Sequence, residues 1–271
     1  MSRTSRVRKS YVDGPHGQVH VLTAGTPGRA GQQRPLVCLH LTPGSGRMYT
    51  ELLAEMAADR FAVAPDTPGF GASDPPQAPV DVPTLARSVL AVADHFELDE
   101  FDVLGYHTGS KIAVELALQL PTRVRTVTLV SAPVYMASEL EAQRAWLASP
   151  RTPVADGSHL VEQFVELVRW LPEGTPLALA QREFAEQQRG GDAAHWGYLA
   201  AFSYDHAQAL PRVQQPVLLL CPSDDLETPT LRAEPLVGRG RFLRLEGWGH
   251  QMMVTRTAEV AALLRAHSRQ G

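Results

Sequence analysis

The 271 residues are 44% hydrophobic, enough for one substantial core or one core with a modest insertion, which excludes a small disulfide-stapled module. Twenty-five Lys and Arg against 29 Asp and Glu leave a formal charge of −4, and no basic run recurs after the first ten residues, which speaks against a nucleic-acid binder. No apolar stretch reaches the roughly 18 residues of a membrane-spanning helix, and MSRTSRVRKS has no apolar segment behind it to form a signal peptide. The expectation is a cytoplasmic chain with a small-molecule substrate and neither a nucleic-acid nor a membrane partner; the residues carry no signal for an oligomeric state.

In chain order, VHVLT, PLVCLH, FAVAP, FDVLG and VRTVTLV read as strands. Helical patterns lie between them, over about Arg47 to Ala58, Val82 to Phe96 and Ser110 to Leu120, and this alternation predicts a largely parallel sheet. Cys38 and Cys221 fall inside apolar runs and read as buried thiols, not as a bridge or metal ligands. A second α/β segment begins at Pro216 with PVLLLCPSDD. It continues through a short helix near Pro229 to Val237, a strand at Arg241 to Leu245 and a last helix from Met252 to about Ala266. Between the two segments lies a stretch of helical pattern without a convincing strand, broken at Ser149-Pro150, Pro172-Glu173-Gly174 and Gly190-Gly191. The domain reading is therefore a core over 1–135 and 211–271 with a helical lid over 136–210. The lid concentrates aromatic residues, and a stripe holding His195, Tyr198, Phe202 and His206 is expected to be in the main its own core.

Strand FDVLG runs through Gly105-Tyr106-His107-Thr108-Gly109 directly into a helix, which puts a non-glycine residue at the apex of a strand-to-helix turn between two glycines. Such a turn lifts its apex side chain above the sheet, and its flanks must be small so that strand and helix can pass closely. Just past the next buried strand stands Asp225, four residues ahead of Pro229. Past the strand after that stands His250, in the loop Gly247-Trp248-Gly249-His250. Elbow, acid and histidine come in the order of a nucleophile–acid–base triad.

With LVCLHLTPGSGRMY and APDTPGFGASDPP ahead of them, these motifs resemble the α/β-hydrolase fold superfamily with a helical cap, over nearly the whole chain. The resemblance implies His250 as general base and Asp225 as the acid that orients it, with Asp224 the neighbouring candidate. It implies backbone N–H groups of Thr42 and Thr108 as an oxyanion hole. Two residues depart from the pattern. Leu41 replaces the usual glycine and narrows the acyl pocket, and His107 replaces serine at the apex. The expected substrate pocket comprises Leu41, Tyr106, Trp196, Tyr198, Phe202 and Trp248.

A histidine apex admits two active roles. It attacks a carbonyl through a ring lone pair, or it donates a hydrogen bond while the His250–Asp225 pair activates water or removes a substrate proton; the bulk of an imidazole in the oxyanion region favours the second. The function expected is hydrolysis of a small to medium, partly apolar ester, thioester or lactone, without a cofactor. The alternatives are a carbon–carbon lyase, a cyclase or a cofactor-free oxygenase, a ligand-binding protein without turnover, or a degenerate site. Gly44-Ser45-Gly46 with Asp66 imitates a dinucleotide fingerprint, but Tyr49 stands where a third small residue is needed. No metal is expected, because His107 and His250, even with His40, show no ligand-motif spacing, and the resemblance implies that His40 serves its own loop backbone. His16, His20, His95, His159 and His267 read as surface or loop residues.

Overall fold

The computed structural model describes residues 6–28, 32–147 and 153–271. Eight strands, Arg8–Gly14 (β1), Gly17–Ala24 (β2), Leu36–Leu39 (β3), Ala62–Pro65 (β4), Phe101–Tyr106 (β5), Val124–Val130 (β6), Val217–Pro222 (β7) and Gly240–Leu245 (β8), form one sheet in the order β1-β2-β4-β3-β5-β6-β7-β8. The β1–β2 and β2–β4 pairings are antiparallel and the remaining ones parallel. This is the α/β-hydrolase arrangement that the motifs imply. The central strands are buried throughout, as strands covered by helices on both faces must be. Alternation along them feeds two cores. Val63, Val103, Val127 and Leu219 face one side, while Ala64, Leu104, Val130 and Leu218 face the other.

Helix Thr50–Met56 (α1) packs on the second face, and helices Val82–His95 (α2) and Thr108–Gln119 (α3) cover the first. Between β6 and β7 lie Ala137–Leu147 (α4), Ser158–Arg169 (α5), Leu177–Gln187 (α6), Ala194–Ser203 (α7) and His206–Ala209 (α8), with no strand among the described residues. Glu227–Leu231 (α9), Met252–Thr255 (α10) and Thr257–Ser268 (α11) complete the chain, α10 and α11 also packing on the second face. The predicted break at Pro172-Glu173-Gly174 falls between α5 and α6, whereas the one at Ser149-Pro150 lies outside the described residues. At Gly191 the backbone turns to φ 51°, between α6 and α7. Among the described residues no helix is long and apolar enough to cross a membrane, and both cysteines are buried and free.

Three expectations need correction. The polar opening residues include a strand, β1, which lies at the sheet edge and buries only Val12. The last helix is two, α10 and α11, divided at Arg256, whose φ of −129° is not helical. His20 and His267 are buried, not surface residues. His20 donates Nδ1–H to Asp66 or shares that proton with it at 2.8 Å, and His267 Nε2 faces the Val127 carbonyl at 3.2 Å.

A buried ion pair ties the end of α11 to the sheet. Arg60, 1% exposed, reaches Asp102 on β5 at 3.1 Å and the Ser268 hydroxyl at 3.2 Å. Asp102 also accepts from Thr126 at 2.8 Å and Arg34 at 3.3 Å. Removing the carboxylate strands a buried guanidinium, so Asp102→Ala is expected to cost about 3–5 kcal/mol. Chemical denaturation followed by circular dichroism checks this; a midpoint unchanged from the wild type would mean that Arg60 finds another partner.

Candidate active site

The site lies where the parallel strands end. Thr42 follows β3, His107 follows β5, Ser131 follows β6, Asp224 and Asp225 follow β7, and His250 follows β8. Carboxyl-terminal strand ends are where open α/β sheets place ligands, because the loops there diverge and leave a crevice. His107 holds φ 50° and ψ −112°, a strained backbone for a non-glycine residue. Its turn is fixed by contact between backbones: a Cβ at Gly105 would collide with the Gly109 carbonyl, and one at Gly109 with the Leu39 carbonyl. Among the described residues Glu97, His107, Ser131 and Gln251 are the non-glycine positions with positive φ, and the last three border the site.

Two histidine–aspartate pairs occupy the crevice. His250 Nε2 lies 2.8 Å from Asp225 Oδ1, and His107 Nε2 lies 3.2 Å from Asp224 Oδ2. The imidazole centroids are 5.3 Å apart. Asp224 is 5% exposed and accepts further hydrogen bonds from the Ser131 hydroxyl, the Tyr106 hydroxyl at 3.4 Å and the Leu226 N–H at 2.9 Å. Burial raises the pKa of both carboxyls, but hydrogen bonds and charge from the histidines outweigh it; Asp224 is lowered and Asp225 falls to about 2. Burial likewise pulls His250 down, while the Asp225 hydrogen bond and the surrounding carboxylates carry it up to about 9. The ring is therefore charged at neutral pH, a proton donor before it is a base. Its Nδ1 is buried without a hydrogen-bond partner.

Residues between β6 and β7 approach this crevice: a Cβ on Gly249 would press on Pro172. Burial raises the Glu183 carboxyl on α6, with His250 and then His107 pulling it back, so this acid stands within electrostatic reach of both rings. One turn on, Glu186 accepts from the Ser45 hydroxyl at 2.8 Å and Arg47 at 2.6 Å, which fastens α6 to the loop after β3. A ladder of rings runs beside the site. Tyr135 meets Phe202 at 5.5 Å, Phe202 stacks on Tyr198 at 6.1 Å, and Tyr198 meets Trp146 at 5.3 Å.

Of the residues singled out in the sequence, His107, Asp225 and His250 come together. Thr108 is the first residue of α3, where helix N–H groups lack intrahelical acceptors. Thr42 is buried under α7, so close that a Cβ on Gly197 would press on its side chain. Tyr106 is 1% exposed and lies behind the site, its ring 4.6 Å from that of His107. Leu41 is buried in the core cluster that also holds Tyr49 and Met252, against which Trp248 packs in part. Trp196 lies elsewhere: with Pro68, Phe70, Val80 and Leu85 it lines a cleft that contains neither pair. Asp224 stands in the site as the partner of His107 and not as a substitute for Asp225. Glu183 and Ser131 have no motif around them that singles them out; only Ser131's place after a parallel strand is a signal.

The loops at the mouth hang on Asp66. It accepts from the Gly46 N–H at 2.7 Å and the Ala72 N–H at 2.9 Å besides facing His20. The fingerprint-like Gly44-Ser45-Gly46 thus meets a carboxylate of its own chain. His40 serves its loop, its Nδ1–H donating to the Leu41 carbonyl at 2.6 Å while Nε2 accepts from the Thr67 N–H at 2.8 Å.

A family model described as alpha/beta hydrolase fold matches residues 34–256. A poly(3-hydroxyalkanoate) depolymerase from Ectopseudomonas oleovorans is 25% identical over 90% of this chain and 87% of its own. Among solved structures, a thermophilic esterase from Thermogutta terrifontis superposes with TM-score 0.78 at 16% identity, covering 97% of this chain and 98% of the other. The enol-lactonase from Burkholderia xenovorans LB400 gives 0.77 at 16% identity, with 95% and 99% covered.

Burial raises the Asp66 pKa, but the hydrogen bond from His20 and those from the two backbone N–H groups help to bring it below the ordinary value. A carboxyl depressed on folding contributes stability above its unfolded pKa near 4, and that contribution is lost as pH falls through the lower folded value. Asp66→Asn is therefore expected to be less stable at pH 7 and to lose less stability than the wild type between pH 5 and pH 2, both read from urea denaturation across that range. Parallel pH profiles would remove Asp66 from the acid limb.

Proposed function

The chain belongs to the α/β-hydrolase fold family, and on that premise we propose that it hydrolyses a small to medium, partly apolar ester, thioester or lactone with two imidazoles, each held by its own carboxylate. The observation that carries this reading is the Asp224–His107 contact beside the Asp225–His250 contact. A carboxylate only accepts, so the His107 nitrogen facing Asp224 carries the proton, and a neutral ring keeps its lone pair on Nδ1. That leaves His107 equipped to attack rather than to donate, which favours the nucleophilic role over the hydrogen-bonding one.

His107 Nδ1 attacks the carbonyl carbon, and the displaced electron pair settles on oxygen, where the Thr42 and Thr108 N–H groups are the proposed donors. Collapse of that intermediate expels an alkoxide or thiolate, which takes a proton from His250. Nδ1, the nitrogen not bound to Asp225, hands it over. Asp224 balances the charge of the acyl-imidazolium. Water then gives a proton to the neutral His250 and attacks the acyl carbon, releasing the acid and regenerating the His107 lone pair and the His250 imidazolium. The ring ladder of Tyr135, Phe202 and Tyr198 supports an apolar acyl or alcohol group, with the helices between β6 and β7 serving as a cap. The depolymerase, esterase and lactonase among the similar proteins support an ester-type bond.

On a panel of esters, thioesters and lactones, His250→Ala and His107→Ala are each expected to lower kcat by roughly three orders of magnitude or more. Asp225→Asn and Asp224→Asn should each cost about a hundredfold or more by loosening one ring. His107→Asn keeps a donor and removes the nucleophile, so near-wild-type turnover in that variant would defeat the covalent route. Tyr198→Ala is expected to shift the ratio of kcat/KM for bulky over short-chain substrates by about tenfold. An unchanged ratio in a folded variant would return Tyr198 to the packing of the cap.

A further inference from the structure

The four side chains of the two pairs have a second capacity that does not rest on the hydrolytic reading. His107, Asp224, Asp225 and His250 each offer a nitrogen or oxygen, and these four atoms lie within 4.8 Å of one another. In a tetrahedral site, bonds of about 2.0–2.2 Å put neighbouring ligand atoms roughly 3.3 Å apart. The His107–Asp224 and His250–Asp225 contacts, at 3.2 and 2.8 Å, are already close to that edge. Closure needs the two pairs to approach by roughly 1.5 Å, within the reach of side-chain torsions.

We propose that these residues form a binding site for one borderline transition-metal dication, zinc or cobalt, held by two imidazoles and two carboxylates. Binding releases the proton that keeps His250 charged and turns a ring lone pair of each histidine to the ion, and two carboxylates with two neutral rings then cancel the charge of a dication. Imidazole donors select such ions over magnesium and calcium, which demand more oxygen ligands. An outer shell exists as well: the Ser131 hydroxyl and the Leu226 N–H fix Asp224, as hydrogen bonds fix ligands in metal centres. The expectation of no metal considered only histidines, and among those His40 is committed to Leu41 and Thr67; the missing ligands are the two aspartates. Ion and acid–base pair are alternatives, because the same side chains serve both.

Cobalt(II) titrated into the full chain after chelation tests the site directly. The expected result is one equivalent bound with the strong visible bands of four-coordinate cobalt, bleached by zinc. Asp225→Asn and His250→Ala, checked for folding by circular dichroism, should weaken binding at least a hundredfold, while His159→Ala leaves it unchanged. No saturation below millimolar cobalt, weak octahedral bands, or binding indifferent to the Asp225 and His250 variants would overturn the proposal. Hydrolysis by the metal-free chain, measured on the same preparations, bears on the proposed reaction and leaves the cobalt result independent.

Discussion

The site turns on two adjacent residues that point to different partners. Asp224 and Asp225 leave β7 together, yet one faces His107 and the other His250, at 3.2 and 2.8 Å. Neighbouring carboxylates repel, and Asp224 is buried while Asp225 is partly screened by the residues around it, so desolvation penalises the charge of both. They stay ionised because each has an imidazole and Asp224 has three further donors. The two rings in turn are oriented by this division, since an imidazole bound through one nitrogen has a fixed remaining face. The histidine that follows β5 is thus met by an acid of its own, supplied by the residue beside Asp225.

The backbone bears the cost of that placement. A positive φ at His107, Ser131 and Gln251 costs of order 1–3 kcal/mol at each position, and a loop free to relax would abandon it. At His107 it persists because β5 and α3 touch backbone to backbone at Gly105 and Gly109, and β5 itself is buried along its whole length. Strain at the site is thus offset by packing away from it. The Arg60–Asp102 pair lies at the opposite end of β5 and holds α11 to the strand whose far end carries the elbow.

Much of this is legible in the residues, for definite reasons. Strands β3 to β7 are covered on both faces and so read as continuous apolar runs, with punctuation that places the functional loops at their ends. Strand β1 escapes notice because, at the edge, only Val12 is buried and RKSYVDG carries no apolar alternation. His107, Asp225 and His250 are visible because each follows a recognisable strand. The partnership of Asp224 is not, since chain adjacency says nothing about which carboxylate turns toward which ring. Trp196 shows the limit of composition: aromatic residues of α7 look alike in sequence, but Tyr198 joins the ladder by the site while Trp196 faces Phe70 and Leu85 across another cleft. Burial of His20 and His267 has the same origin, since a histidine with a carboxylate or carbonyl partner resembles a surface histidine until the fold brings that partner near.

Helix α6 joins these themes. Glu186 is bonded to Ser45 and Arg47, in the loop after β3 that also carries Thr42, while Glu183 one turn earlier stands near both imidazoles. Asp66 holds the same loop from below through Gly46. The loop is therefore clamped between a core aspartate and a helix of the proposed cap. Rigid displacement of α6 would remove Glu183 from the rings and release Ser45 at once, because two residues three apart on one helix face move together. A carboxylate near the His250 imidazole lowers the energy of its protonated form, so withdrawing it weakens the hold on that proton as the loop loosens. Helix α6 thus adds a carboxylate to the larger hold that Asp225 has on the His250 proton, and ties that addition to the loop after β3.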